Sequence, residues 1–195
     1  MKKINLILVL VTVYAFTACA QPAKISTQLP ASKVDFDAYE GLAKEVKEFR
    51  KNRLVNLSKF LLLSKEQNTV ILDTRSTEMY NRKHVKGAIH LNFADFTQDN
   101  LRLLIPDLNT RILIYCNNNF DDDAVNFATK SARPRSIKKK ETTLALNIPT
   151  FINLYGYGYK NVYELADLVS VFNKGIEFEG TDVVRPTPVI ARVRN

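Results

Sequence analysis

The chain alternates between short continuous apolar runs and segments with helical periodicity. Thr69–Asp73 and Arg111–Tyr115 are runs of mostly β-branched and apolar residues, as is typical of strands buried in a parallel sheet. Over 36–49 apolar residues recur every three or four positions, which predicts an amphipathic helix, and a further helix is predicted from Thr97 to Leu104, before Pro106. Strands that alternate with helices predict an α/β domain built on a largely parallel sheet.

The remaining elements follow from the same patterns. Asp35 or Asp37 is the expected cap of the first helix, Ser58 that of the second helix, which runs to about Ser64, and Thr97 that of a later one. Further strands are predicted over 53–57, 88–91 and 161–165, and further helical segments over 77–83, 144–155 and 168–173. Residues 117–140 are polar and charged without apolar periodicity, so a long loop is predicted there.

The N-terminal segment has the layout of a bacterial export signal. Two lysines precede an apolar run over 4–16 that is short for a membrane-spanning helix, and small residues follow it. Two interpretations of its cleavage stay open. Phe16–Cys19 resembles a lipobox, in which Cys19 is lipidated and becomes the mature N-terminus, although phenylalanine is unusual there. Ordinary cleavage after Ala20 also fits and would remove Cys19.

The chain therefore divides into an export signal over 1–20, a tether over 21–35, one domain over 36–180 and an irregular tail over 181–195. We expect a protein exported to the periplasm or cell envelope, with membrane attachment only through an N-terminal lipid. The sequence contains no pattern that specifies an oligomeric state.

Export leaves Cys116 as the only thiol of the folded domain, because Cys19 is either lipidated or removed. An unpaired cysteine in an oxidising compartment is a liability unless it is buried or used. Cys116 directly follows a predicted strand, at the sheet edge where functional residues of α/β proteins gather. Backbone N–H groups of the following loop can stabilise a thiolate, which makes Cys116 the candidate nucleophile.

The chain has a modestly positive net charge, which by itself excludes few classes of binding partner. The net charge falls from +8 to +6 when Lys2 and Lys3 leave with the signal. The basic residues are scattered and lack an interleaved aromatic platform, so nucleic acid is not an expected partner. Attraction of anionic substrates remains compatible with this charge.

Four segments resemble, in order and spacing, the motifs of rhodanese-like domains. They are Val70–Arg75 with its Asp-x-Arg, the stretch from Glu78 to Leu91 with His84-Val85-Lys86-Gly87-Ala88, the strand Arg111–Cys116, and Gly158–Leu165. The resemblance implies a three-layer α/β/α fold around a mostly parallel five-stranded central sheet. It also implies that Cys116 occupies the position of the catalytic cysteine.

The activity that the resemblance implies is that of a sulfurtransferase. The Cys116 thiolate takes a sulfane sulfur from thiosulfate or a persulfide and hands it to cyanide, a small thiol or a partner protein's thiol. The resemblance implies no metal or organic cofactor. The backbone amides of Asn117, Asn118, Asn119 and Phe120 are the expected cradle of the transferred sulfur.

Other polar residues near the motifs have simpler expected roles. The resemblance assigns Asp73 and Arg75 structural contacts, and His84 a structural or rim position. His90 is interpreted as a satisfied core or edge histidine. The Asn119 to Asp123 run lacks the spacing and glycine of a calcium loop, so no metal site is predicted.

The loop after Cys116 departs from the family pattern. Active rhodaneses often carry an arginine soon after the cysteine, whereas here no basic residue occurs before Lys130. The acidic run Asp121–Asp123 would raise the pKa of the thiol if it lay close. Asp122 also stands where rhodanese-fold phosphatases need an arginine. Basic residues over 133–140 either fold back over Cys116 or belong to a solvated loop.

These departures leave two alternatives to the sulfurtransferase hypothesis. One is a catalytically weak or inactive binding module of the cell envelope. The other is a redox relay that passes oxidation or persulfide sulfur through Cys116 to a partner thiol.

Overall fold

A computed structural model describes residues 29–132 and 140–183. The predicted export signal, most of the predicted tether, part of the charged loop and most of the predicted tail lie outside the described residues. The open question of whether Arg133 and Arg135 cover Cys116 lies outside them as well.

The regular elements of the described residues begin at Phe36. The helices of the described segments are α1 (Phe36–Arg50), α2 (Leu57–Leu63), α3 (Thr77–Arg82), α4 (Gln98–Leu104) and α5 (Asn147–Gly156). Their strands are β1 (Leu54–Val55), β2 (Thr69–Asp73), β3 (His84–Val85), β4 (Ile89–His90), β5 (Arg111–Tyr115), β6 (Phe120–Asp121), β7 (Ser131–Ala132), β8 (Thr142–Thr143), β9 (Val162–Leu165), β10 (Val169–Ser170) and β11 (Phe178–Glu179).

The central sheet that the described residues form has five parallel strands in the order β1-β9-β5-β2-β4. Its longest pairing sets Thr69 opposite Arg111 and Asp73 opposite Tyr115. The sheet therefore confirms the predicted parallel α/β class. Because β5 lies in the middle, the residue that follows it emerges near the centre of the carboxyl edge.

Helices cover both faces of this sheet, which gives the predicted three layers. Ile112 and Ile114 point to the face covered by α1, α4 and α5, and they share a core with residues such as Leu101 and Phe151. Leu113 and Tyr115 point to the opposite face, where Phe60 of α2 is fully buried. This alternation is the one that a strand buried on both sides requires.

Several predicted boundaries are confirmed and others are wrong. Asp35 caps α1 by accepting a hydrogen bond from the Ala38 amide at 2.9 Å. The cap of α2 is Asn56 rather than Ser58, because the Asn56 side chain reaches the Lys59 amide.

Two larger differences concern elements near the loop after Cys116. The helix predicted from residue 144 begins only at Asn147, and Pro149 is accommodated in its first turn, where a missing N–H costs no helical hydrogen bond. The helix predicted over 168–173 is wrong, since Val169 and Ser170 form β10 and pair with β6. In the described segments no helix has the length and apolarity needed to cross a membrane.

Candidate active site

Cys116 lies at the end of β5, and its surroundings hold it below the protein surface with only 1% exposure. A 3-10 turn over Asn117–Asn119 follows it. The Asn119 side chain fixes this turn, because its Oδ1 accepts from the Cys116 amide at 2.9 Å and its Nδ2 donates to the Leu165 carbonyl at 2.7 Å. The loop that carries the thiol is thereby tied to the end of β9.

Opposing effects act on the Cys116 thiol. Burial raises its pKa above the ordinary value, because a thiolate loses hydration, and the negative charge of Glu164 adds to this. Backbone N–H groups of Asn147, Asn118 and Leu146 act in the other direction by hydrogen bonding to the sulfur. Desolvation is the largest effect, so the net result is a pKa of Cys116 above the ordinary value.

The predicted cradle of four consecutive amides is only partly what the structure shows. The Asn119 amide donates to the Cys116 carbonyl at 3.1 Å and also faces the Cys116 side chain in a capping box. The Phe120 amide is used within the turn, since it donates to the Asn117 carbonyl. The Asn118 amide does act on the thiol.

The other amides near the sulfur come from the start of α5, which sequence reasoning missed. Leu146 and Asn147 are separated from Cys116 by the long polar segment, so no local motif joins them. Pro149 is the one local signal for this start, because proline is tolerated only in the first turn of a helix and so places the N-terminus within a few residues of it. The N-terminal end of a helix favours negative charge, which suits a thiolate.

Cys116 lines a cavity of about 420 Å³. The polar and charged side chains of its wall include Asn118, Asp121, Asn147, Glu164 and Arg50, and apolar ones include Leu54, Leu165 and Leu168. Leu54 and Leu168 are 40% and 65% exposed, so the rim of the cavity is partly apolar. A cavity of this size accommodates a small molecule or a single protein side chain.

Arg50 and Glu164 form an ion pair in the wall of this cavity. The Arg50 guanidinium donates from Nε to Oε2 at 2.5 Å and from Nη2 to Oε1 at 2.6 Å. Hydrogen bonding to Glu164 raises the pKa of Arg50. Asn147 joins the pair, since its Nδ2 donates to Oε1 of Glu164 at 3.2 Å and to Oδ1 of Asn119 at 2.9 Å. Sequence reasoning did not identify Arg50, Asn147 or Glu164.

Asp73 and Arg75 form a buried network beside the Cys116 loop. Arg75 donates from Nη2 to Asp73 Oδ2 at 2.7 Å and to the Lys83 carbonyl at 2.6 Å. Tyr115 donates to Asp73 Oδ2 at 2.6 Å and accepts from the Val85 amide at 3.0 Å. Arg75 also approaches Asn117, with Nη1 at 3.5 Å from its Oδ1. The network joins strand ends to the loop and does not line the cavity.

The two histidines bond backbone carbonyl groups. His84 Nδ1 bonds the Tyr80 carbonyl at 2.6 Å and its ring stacks on the Tyr80 ring, with centroids 3.8 Å apart. His90 Nδ1 bonds the Asp73 carbonyl at 3.1 Å from the edge strand β4. Neither histidine lines the Cys116 cavity.

The acidic run does not act as a unit on Cys116. Asp123 forms an ion pair with Lys83 at 2.9 Å, Asp122 is exposed, and Asp121 lines the cavity. The carboxylate that raises the thiol pKa is Glu164. Across residues 29–132 and 140–183, no three His, Cys, Asp or Glu side chains are grouped so as to hold a metal ion.

Residues 56–167 match the model of a protein family described as "Rhodanese-like domain". No curated protein sequence matches the chain significantly. Similar solved structures include a rhodanese from E. coli, 18% identical, covering 58% of this chain and 99% of that one with a TM-score of 0.36. A Bacillus halodurans protein is 17% identical, covering 75% of this chain and 88% of that one with a TM-score of 0.43. A thiosulfate sulfurtransferase from Pseudomonas aeruginosa is 18% identical over 66% of this chain and 20% of its own, with a TM-score of 0.38.

Proposed function

The chain belongs to the rhodanese-like domain family, and from that premise we propose that it is a sulfurtransferase in which Cys116 carries the sulfur. The observation that supports this most directly is the placement of the thiol. Cys116 lines a cavity at the carboxyl end of β5, and the amides of Asn118, Leu146 and Asn147 lie where they favour negative charge on sulfur. A nucleophile needs this combination of access and electrostatic support.

The proposed reaction has two displacement steps. The Cys116 thiol first loses its proton to solvent, and the thiolate attacks the outer sulfur of the donor. A new S–S bond forms on Cys116, and the donor leaves with the old bonding pair, as sulfite from thiosulfate or as a thiolate from a persulfide. The acceptor then attacks the outer sulfur, and Cys116 leaves as the thiolate. Each cycle is redox neutral and needs no cofactor.

The amides around the sulfur have a role in both steps. The cysteine persulfide carries its charge on the outer sulfur, one bond further into the cavity than the thiolate. Asn147 at the start of α5 lines this cavity, and we propose that the amides there keep the negative charge stabilised as it moves outward. We propose that the protein acts in the periplasm or cell envelope, on a small sulfur compound or a partner protein's thiol.

Steady-state turnover tests the proposal. We expect the purified protein to catalyse the formation of thiocyanate from cyanide with thiosulfate or cysteine persulfide as donor, and Cys116→Ser to fall to the rate without enzyme. Cys19→Ser is the matched control, because it removes the chain's other cysteine outside the domain and leaves the rate unchanged. Equal rates for wild type and Cys116→Ser contradict the proposal.

A second candidate is a binding module that keeps the fold without turnover. The raised pKa of Cys116 favours it, because a protonated thiol is a poor nucleophile. A partner protein recovered equally well with wild type and Cys116→Ser, together with background turnover in both, supports this candidate instead.

A further inference from the structure

The charges that line the Cys116 cavity have an unusual balance for a site that handles sulfur oxyanions. Among the described lining residues, Arg50 is positive, whereas Asp121 and Glu164 are negative. Arg50 already donates two hydrogen bonds to the Glu164 carboxylate, from Nε at 2.5 Å and from Nη2 at 2.6 Å, so its charge is balanced by Glu164. Asp121 is exposed and forms no ion pair with any described residue. The described wall is therefore net negative even before Cys116 ionises.

Asn147 adds an unused hydrogen-bond acceptor to the same wall. Its side chain is buried, with the residue only 3% exposed, and its Nδ2 donates to Glu164 and Asn119. The Glu164 carboxylate and the Asn119 Oδ1 atom can only accept hydrogen bonds, so the Asn147 side-chain nitrogen must face them. The side-chain oxygen of Asn147, Oδ1, is therefore the polar atom left over. Oδ1 has no hydrogen-bond partner among the described residues. A buried acceptor without a donor is costly, so a ligand that supplies an N–H group is favoured there.

We infer that the cavity takes a small amine-bearing thiol, or the persulfide of one, in preference to an anionic sulfur donor such as thiosulfate. This inference rests on the proposed function. The ammonium group supplies the positive charge that Asp121 leaves unbalanced beside the paired Arg50 and Glu164, and its N–H groups match the free Oδ1 acceptor of Asn147. Thiosulfate has two negative charges and no donor, so it meets repulsion from the same wall and from the Cys116 thiolate.

Charge-matched thiol reagents test the preference without turnover. Aminoethyl methanethiosulfonate is cationic and sulfonatoethyl methanethiosulfonate is anionic. With either one, the Cys116 thiolate attacks the sulfur bound to the alkyl group, a mixed disulfide forms and methanesulfinate leaves. The measured quantity is the labelling rate of the cationic reagent divided by that of the anionic reagent. This ratio for the folded protein is then divided by the ratio for the urea-unfolded chain, because the unfolded chain reports the intrinsic reactivity of the two reagents. We expect this normalised ratio to be about tenfold in favour of the cationic reagent, because the wall of the cavity carries one unbalanced negative charge.

Two variants assign the preference to the wall. Asp121→Asn is expected to reduce it by about fivefold, because one carboxylate is lost from the cavity. Asp122→Asn is the matched control, an adjacent exposed carboxylate that does not line the cavity, and it leaves the ratio unchanged. A wild-type ratio equal to that of the unfolded chain, or a preference for the anion, overturns the inference. An equal effect of Asp121→Asn and Asp122→Asn overturns it as well.

Turnover separates failure of this inference from failure of the proposed function. Cysteamine and 3-mercaptopropionate, as sulfur acceptors, differ mainly in charge. If the protein turns over but has a higher kcat/KM for 3-mercaptopropionate than for cysteamine, the inference is overturned. A higher kcat/KM for thiosulfate than for cysteine persulfide as donor overturns it too. Either result leaves the sulfurtransferase proposal in place. A cationic preference in labelling with no turnover for any pair contradicts the proposed function and supports the inferred binding preference.

Discussion

Arg50 and Glu164 join the first helix of the domain to the wall of the Cys116 cavity. The guanidinium donates two hydrogen bonds to the carboxylate, from Nε at 2.5 Å and from Nη2 at 2.6 Å. The Glu164 side chain is only 7% exposed and that of Arg50 is 30% exposed. Arg50 precedes residues 56–167, which match the family model, so the cavity includes a residue from outside the matched segment.

Removing this cation is expected to destabilise the domain. In Arg50→Met the largely buried Glu164 carboxylate loses its charged partner, which costs about 2 kcal/mol of the free energy of unfolding once the partial exposure of Arg50 is allowed for. Urea denaturation measures the change. Lys44→Met is the control on the same helix, because the Lys44 side chain is 71% exposed and pairs only at the surface. Equal losses in the free energy of unfolding for the two substitutions would contradict the claim that the buried pair stabilises the domain more than a surface pair does.

The reactivity of Cys116 is expected to increase into the alkaline range. Because burial raises its pKa, alkylation by iodoacetamide follows a titration with a higher apparent pKa than that of the urea-unfolded chain. Glu164→Gln removes one cause and lowers the apparent pKa. An apparent pKa for the folded protein below that of the unfolded chain contradicts this account of the thiol.

The same shift makes stability depend on pH. The folded-state pKa of Cys116 lies above the unfolded one, so its contribution to stability is complete below the ordinary thiol pKa of about 8.5. It is lost as the pH rises through the folded-state value. The free energy of unfolding should therefore decline more steeply above about pH 8.5 for wild type than for Cys116→Ser.

Tyr115 is expected to stabilise the fold through its hydroxyl group. In Tyr115→Phe the buried Asp73 Oδ2 and the Val85 amide each lose a partner, which costs about 2 kcal/mol. Thermal or urea unfolding measures this. Tyr39→Phe removes a hydroxyl from a ring that is 41% exposed and should change stability by less than about 0.5 kcal/mol. A comparable loss in both variants would contradict the role of the buried network.

Elements with a strong local signal were predictable from the sequence. Thr69–Asp73 and Arg111–Tyr115 are strands with the predicted bounds, because a continuous apolar run needs burial on both faces of a sheet. The position of Cys116 at the carboxyl edge followed from the second of these strands. Asp35 and Thr97 cap their helices as predicted, since capping is decided within a few residues.

Features that depend on distant partners were not predictable. Val169 and Ser170 form a strand because β6 lies beside them, and β6 belongs to the unusual segment after Cys116. A helical pattern over six residues carries no information about such a partner. Arg50 and Glu164 are 114 positions apart, and Glu164 stands in a strand where sequence alone indicates only an alternating side-chain direction.

The N-terminus of the mature protein provides a separate prediction. If Phe16–Cys19 acts as a lipobox, protein expressed with its leader in a bacterial host carries a diacylglyceryl group on Cys19 and fractionates with membranes. Intact mass of the purified protein measures this, and Cys19→Ser should abolish the modification. An unmodified mature chain that begins after Ala20 would support ordinary signal cleavage instead.

The sulfur carried by Cys116 is the central claim, and intact mass spectrometry tests it most directly. After incubation with cysteine persulfide and removal of the donor, wild-type protein is predicted to gain the mass of one sulfur atom. Cyanide should remove that mass and release one equivalent of thiocyanate, and Cys116→Ser should show no gain. A wild-type protein that stays at its original mass, or a gain that persists in Cys116→Ser, contradicts the account.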